Sequence, residues 1–118
     1  MTMQNNIVSL QSLKQSKPVE VVSFNRRDID TLMQFYSKRV GTGEWRDYAM
    51  DMLKDRAIFS VFKRASEVPI YTVHKTPKLA SKQGEWSLLN ANGLILKRGK
   101  DLKQVLKVLD KKPKIVSL

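Results

Sequence analysis

The run AIFSVFKRASEVPIYTVHK, Ala57 to Lys75, constrains the fold of this chain more than any other stretch. Two apolar segments flank a polar turn that holds Ser66, Glu67 and Pro69, and a basic residue ends each segment. That is the pattern of a β-hairpin. In the first arm Ile58, Ser60 and Phe62 alternate with Phe59 and Val61, so apolar side chains fall on both faces. Such a strand is covered on both sides and belongs inside a sheet. The return arm, Ile70 to Lys75, alternates Ile70, Thr72 and His74 with Tyr71, Val73 and Lys75.

The hairpin needs further strands and a covering layer, and the flanking sequence supplies both. Trp86–Leu89 and Leu94–Arg98 read as a second hairpin, turned by NANG with Gly93 where a positive φ is required. Gly99 ends that strand, and Asp101 opens a helix to about Lys111. Leu102, Val105, Leu106 and Leu109 make its apolar stripe, with Lys100, Lys103, Lys107 and Lys111 on the opposite side. The tail KIVSL either adds an edge strand or stays loose.

Upstream, Asn25 caps a helix Arg26–Val40 whose inner face is Ile29, Leu32, Met33, Tyr36 and Val40, with Gly41 as its stop. Trp45, Tyr48, Ala49 and Met52 then fall at i, i+3, i+4 and i+7, which predicts a second helix, Glu44 to about Leu53. A helix-turn-helix DNA reader is disfavoured, because Glu44, Asp47 and Asp51 on its outer face repel phosphate. Pro18–Phe24 reads as an edge strand and residues 1–17 as a flexible tail. The expected fold is therefore one α+β domain over residues 18–118. Two hairpins and a possible N-terminal edge strand form a mainly antiparallel sheet, with an N-terminal helical pair and a C-terminal amphipathic helix.

Charge narrows the partners. Lys and Arg number 22 against 11 Asp and Glu, a net charge of +11. Residues 1–56 carry a net +2 and residues 57–118 a net +9. A field so lopsided favours a polyanion: DNA or RNA, an acidic protein, or an anionic membrane surface. There is no cysteine, which removes disulfides, thiolate catalysis and Cys-based zinc sites. No apolar run approaches the length of a membrane span, and the N-terminus has no secretory pattern, so a cytoplasmic location is expected.

No nucleophile–base pair or ligand cluster stands out, so neither a catalytic residue nor a metal or other cofactor is assigned. His74 is the single histidine and has no second ligand beside it. The best anion candidate is LILKRGKD, where a strand delivers Lys97 and Arg98 to Gly99 and Lys100 at a helix start. An aggregation-guarded strand end capped by Asp101 would look the same. The expected polyanion surface is Lys63, Arg64, Lys75, Lys78, Lys97, Arg98, Gly99, Lys100, Lys103 and Lys107. Tyr71 and Trp86 are candidates for base stacking, provided both lie on a sheet face away from the helices. Asp47, Asp51 and Asp55 recur every fourth residue beside Arg46 and Arg56, a pattern better suited to structural ion pairs than to metal chemistry.

GEWRDYAMD, LKDRAIFSVFKRASEVPIY, KTPKLASKQG and GLILKRGKDLKQVLKVLDKK together resemble a family of small uncharacterised bacterial proteins. This is domain-of-unknown-function family twenty-seven ninety-four, known mainly from alphaproteobacteria. The resemblance runs from about Phe24 to about Val116. It implies a stand-alone cytoplasmic domain and brings no activity with it. It draws attention to Glu44–Tyr48, Lys54–Arg56 and Leu96–Gly99. Where the family often has His after Leu-Lys-Arg-Gly, this chain has Lys100, which weakens a histidine-based site there.

Overall fold

The computed structural model describes residues 20–64 and 68–110. They form α1 (Arg26–Gly41), β1 (Asp47–Met52), β2 (Ala57–Phe62), β3 (Tyr71–Lys75), β4 (Trp86–Asn90), β5 (Ile95–Gly99) and α2 (Leu102–Leu106). Short 3-10 turns lie at Pro77–Leu79 and Lys107–Asp110. The strands make one antiparallel meander in the order β1-β2-β3-β4-β5. The fold is α+β.

The register places every side chain on one of two faces. Met52, Ala57, Lys75, Trp86 and Gly99 form one row across the sheet, and Met50, Phe59, Val73, Leu88 and Lys97 form another. These rows face the helices. Phe59, Leu88, Val73 and Trp86 are buried there with Leu32 of α1 and Leu102, Val105 and Leu106 of α2. The intervening row, Asp51, Ile58, His74, Ser87 and Arg98, points to the other side. β2 is interior, as its two apolar faces require, and among the described residues β1 and β5 are the edges.

Asn25 starts α1 through a capping box: its side chain accepts the N–H of Asp28, and Asp28 accepts the N–H of Asn25. The helix runs through Gly41, and the left-handed residue after it is Gly43 at φ 79°. Gly93 has φ 84° in the turn between β4 and β5, as the NANG motif demands. Asn90 completes that turn by accepting the N–H groups of Asn92 and Leu94 on its side chain.

Three expectations are corrected. The second helix does not form: Asp47–Met52 is β1, an edge strand paired with β2, so there is no helical pair. Tyr48, Met50 and Met52 share the face of Phe59, while Asp47, Ala49 and Asp51 turn outward. The helical spacing of Trp45, Tyr48, Ala49 and Met52 coincided with this alternation, and pairing to β2 decided between them. Trp45 is buried in the preceding loop between Phe35 and Tyr36. Second, residues 20–24, the described part of Pro18–Phe24, form no strand. Val22 donates one hydrogen bond to the Leu53 carbonyl at 2.7 Å, and Phe24 stacks on Trp86. Third, the last helix is shorter than expected, because Asp101 is its cap and the chain tightens into a 3-10 turn after Leu106. Residues 1–17, Lys111 and the KIVSL tail lie outside the described residues.

Candidate functional site

The strand register separates the basic residues that sequence had grouped. Lys63 and Arg64 leave the sheet at the end where β1 begins, beside Gly43 and Arg46. Lys75, Arg98, Gly99 and Lys100 lie at the opposite end, where β3 and β5 finish. A strand of five or six residues keeps these groups roughly 15–20 Å apart. Lys107 is further along the second helical segment, beside Lys38 and Asp110.

Two expected contacts are occupied by the protein itself. Lys75 donates to Asp28 Oδ2 at 2.6 Å and to the Ser23 carbonyl at 3.1 Å, and its ammonium lies 5.7 Å from the Trp86 ring centre. Both side chains of the ion pair are 13 % exposed. This lysine fastens the start of α1 to the end of β3. Trp86 is 3 % exposed, and both it and Tyr71 sit on the face that the helices cover. The condition set for base stacking, a sheet face away from the helices, is thus not met: the Trp86 ring is enclosed by the core, and Tyr71 is partly buried against it.

At the LILKRGKD junction, Asp101 accepts the N–H of Lys103 at 3.1 Å and caps α2. A recess of about 590 Å³ opens here between the starts of the two helices. Arg27, Lys100 and Lys103 meet Asp28, Glu85 and Asp101 in its wall, so its charges balance. Gly99 is needed for packing. A Cβ on Gly84 would lie 2.3 Å from the Gly99 carbonyl carbon, and one on Gly99 would lie 3.3 Å from Val105 Cγ2.

The other face, the helix-free face, which no helix among the described residues covers, gathers a different set. His74, Ser87 and Arg98 are neighbours on three successive strands, so His74 and Arg98 stand about 10 Å apart at Cα. Arg56 enters from the turn before β2, and its Nη1 reaches His74 Nδ1 at 3.5 Å. His74 Nε2 lies 3.1 Å from Thr72 Oγ1. An arginine can only donate, so this chain of contacts assigns the Nε2–H tautomer, which donates to Thr72. Burial and the nearby Arg56 charge hold the His74 pKa below its ordinary value, partly opposed by Asp55. Asp55 accepts from Arg56 Nε and Nη2 at 3.3 and 3.1 Å, and that hydrogen bonding lowers its pKa, with Lys78 adding a smaller pull.

These groups surround a recess of about 140 Å³ with Arg56, His74, Thr76, Ser87 and Arg98 as its polar lining. Leu79 of the 3-10 turn, Leu89 and Ile95 form its apolar wall. Sequence reasoning placed Arg98 and Lys78 on the functional surface but took Arg56 for a member of structural ion pairs and His74 for a solitary residue. Alternation in β3 put His74 on a defined face; its meeting with Arg56 and Arg98 needed the strand order.

The family described as "Protein of unknown function (DUF2794)" matches residues 22–106. The chain belongs to this family. Its matched region spans all five strands, α1 and α2, so the DUF2794 domain carries both the buried Lys75–Asp28 tie and the recess on the helix-free face. No curated protein and no solved structure matches the chain. Among the described residues no cluster of three or more His, Cys, Asp or Glu is placed to hold a metal ion. No helix among them is long and apolar enough to cross a membrane.

Proposed function

We propose that this DUF2794 protein is a small, non-enzymatic nucleic-acid-binding protein of the cytoplasm. Its contact surface is the end of the sheet that carries Arg56, Lys78, Arg98, Lys100 and Lys103. The observation that carries the reading is the convergence of Arg56 and Arg98 on a helix-free sheet face. Lys78, close enough to Asp55 to act on its charge, adds a cation at the same end, and Lys100 and Lys103 stand beside the neighbouring charge-balanced recess. Phosphates are attracted by such a field whatever the base sequence, and each contact releases counterions.

Titration of the protein with single-stranded DNA, duplex DNA and RNA tests it. At near-physiological salt we expect binding to at least one of them, with affinity falling linearly in a log–log plot against salt. Changing Arg98 and Lys100 together to Ala should flatten that slope by about two. Failure to bind any of the three at low salt removes the reading.

An acidic protein partner is the second reading, favoured by the β5 edge. Leu94, Ile95 and Leu96, at the start of β5, are 63, 49 and 41 % exposed, and the outer edge of this strand, which continues into Lys97 and Arg98, has no partner among the described residues. An edge of that composition suits strand addition by an extended acidic segment. Such binding would survive competition by unrelated oligonucleotides.

A further inference from the structure

The recess on the helix-free face has a chemistry more specific than a basic surface. Its volume of about 140 Å³ is well below the roughly 300–1,000 Å³ of sites for drug-sized ligands. It accommodates one small charged group and excludes a nucleoside. Its polar lining is rich in donors: two guanidinium groups and the hydroxyls of Thr76 and Ser87, beside the His74 ring, whose Nδ1 is turned to Arg56. Ser87 is 4 % exposed and borders the recess. Arg98 has no ion pair among the described residues, so its planar fork is uncommitted. Arg56 is partly committed, through Nε and Nη2 to Asp55 and through Nη1 to His74. Its remaining N–H groups are available.

The carboxylates nearby do not cancel this set. Asp55 is 50 % exposed and bound to Arg56, where water screens the pair. Asp51 is on the same face but two strands away from His74. Arg56, Arg98 and Lys78 outnumber Asp55. A planar guanidinium fork binds carboxylate and phosphate alike, and two such forks around one small concavity offer donors enough for the several oxygens of a phosphoryl group.

We propose that the recess formed by Arg56, His74, Ser87 and Arg98 is a binding site for a phosphoryl group. Arg98 contacts the oxyanion through its fork, Ser87 and Arg56 donate to the remaining oxygens, and His74 positions Arg56 from behind. The phosphoryl group comes either from free inorganic phosphate or from the terminal monoester of a nucleic-acid strand. The second source rests on the nucleic-acid reading above; the first does not.

His74 is the only histidine, so its ring protons give one resolved reporter inside the site. The experiment follows the His74 Hε1 resonance of the full chain during titration with inorganic phosphate, against sodium chloride at equal ionic strength. We expect a saturable shift that chloride does not reproduce. Arg98→Met should weaken it at least tenfold. Arg98→Lys keeps the charge and loses the fork, and serves as the second variant should Arg98→Met fail to fold; it should weaken binding about fivefold. A shift that follows chloride, or one unaffected by either variant, overturns the site.

A second arm compares 5′-phosphorylated and 5′-hydroxyl oligonucleotides of one sequence. Preference for the phosphorylated strand, with the same His74 shift, makes the strand end the source. Equal binding of both strands beside a saturable shift with inorganic phosphate makes the free ion the source. A phosphate response without any oligonucleotide binding removes the nucleic-acid reading and leaves the site standing. Oligonucleotide binding without a phosphate response or a preference for the phosphorylated end does the reverse.

Discussion

Lys75 Nζ and Asp28 Oδ2 are 2.6 Å apart, joining the end of β3 to the first turn of α1. The same carboxylate oxygen accepts the N–H of Asn25, so one atom serves the helix cap and the interhelix–sheet tie. Removing one member strands the other in a largely buried position. Lys75→Met should destabilise the protein by about 3–5 kcal/mol. The double variant Lys75→Met with Asp28→Asn, which keeps an acceptor for the cap, should cost less than the two single changes combined. Urea unfolding of all four proteins measures this, and simple additivity would show that the pair is not coupled.

Gly84 and Gly93 both have positive φ, at 97° and 84°, but only Gly84 lies against backbone. Gly93→Ala should cost about 1–2 kcal/mol from conformation alone. Gly84→Ala must also push the Gly99 carbonyl away, which parts β5 from the 76–84 loop. We expect it to lower the thermal midpoint far more than Gly93→Ala, or to abolish folding. Similar midpoints for the two variants would contradict the backbone approach.

Met50 and Asp51 are adjacent in β1 and point to opposite faces. Met50→Lys should destabilise the fold by about 2–3 kcal/mol, because it drives a charge toward Phe59. Asp51→Lys sits on the exposed side and should change stability by no more than about 0.5 kcal/mol. Chemical denaturation distinguishes this from a helical arrangement, in which Asp51 and Met50 would differ by only 100° and not by a full change of face.

His74 has a pKa depressed in the folded state, chiefly by burial. The unfolded chain therefore binds the proton more readily, and stability rises with pH across this window. The contribution is complete above the ordinary value of 6.5 and is lost as pH falls through the lower folded value. Unfolding free energy measured from about pH 7.5 to 5.5 should decline on acidification, and His74→Gln should flatten that decline. An identical slope in the variant would assign the pH dependence to other groups.

Much of the fold was legible because local chemistry and the final structure agree. Asn25 and Asp28 form a capping box from residues three apart, and NANG needs only its own four residues to define a turn. β1 was misread because Trp45, Tyr48, Ala49 and Met52 satisfy a helical period while Tyr48, Met50 and Met52 satisfy a strand period. A six-residue segment carries too few positions to separate the two, and the choice fell to the exposed edge of β2. Trp86 looked free to stack because an aromatic residue in a strand does not announce which face a helix will cover.

The sequence by itself determined a basic α+β domain with two hairpins, a capped first helix and a positive C-terminal half. These follow from periodicity, turn chemistry and charge, which act over a few residues. Only the tertiary structure decided which cations act together. Lys75 was taken by Asp28, Lys63 and Arg64 went to the far end of the sheet, and Arg56 joined His74 and Arg98 from a distant part of the chain. That choice depends on strand order and register, where a single-residue slip exchanges the two faces, and no local pattern encodes it.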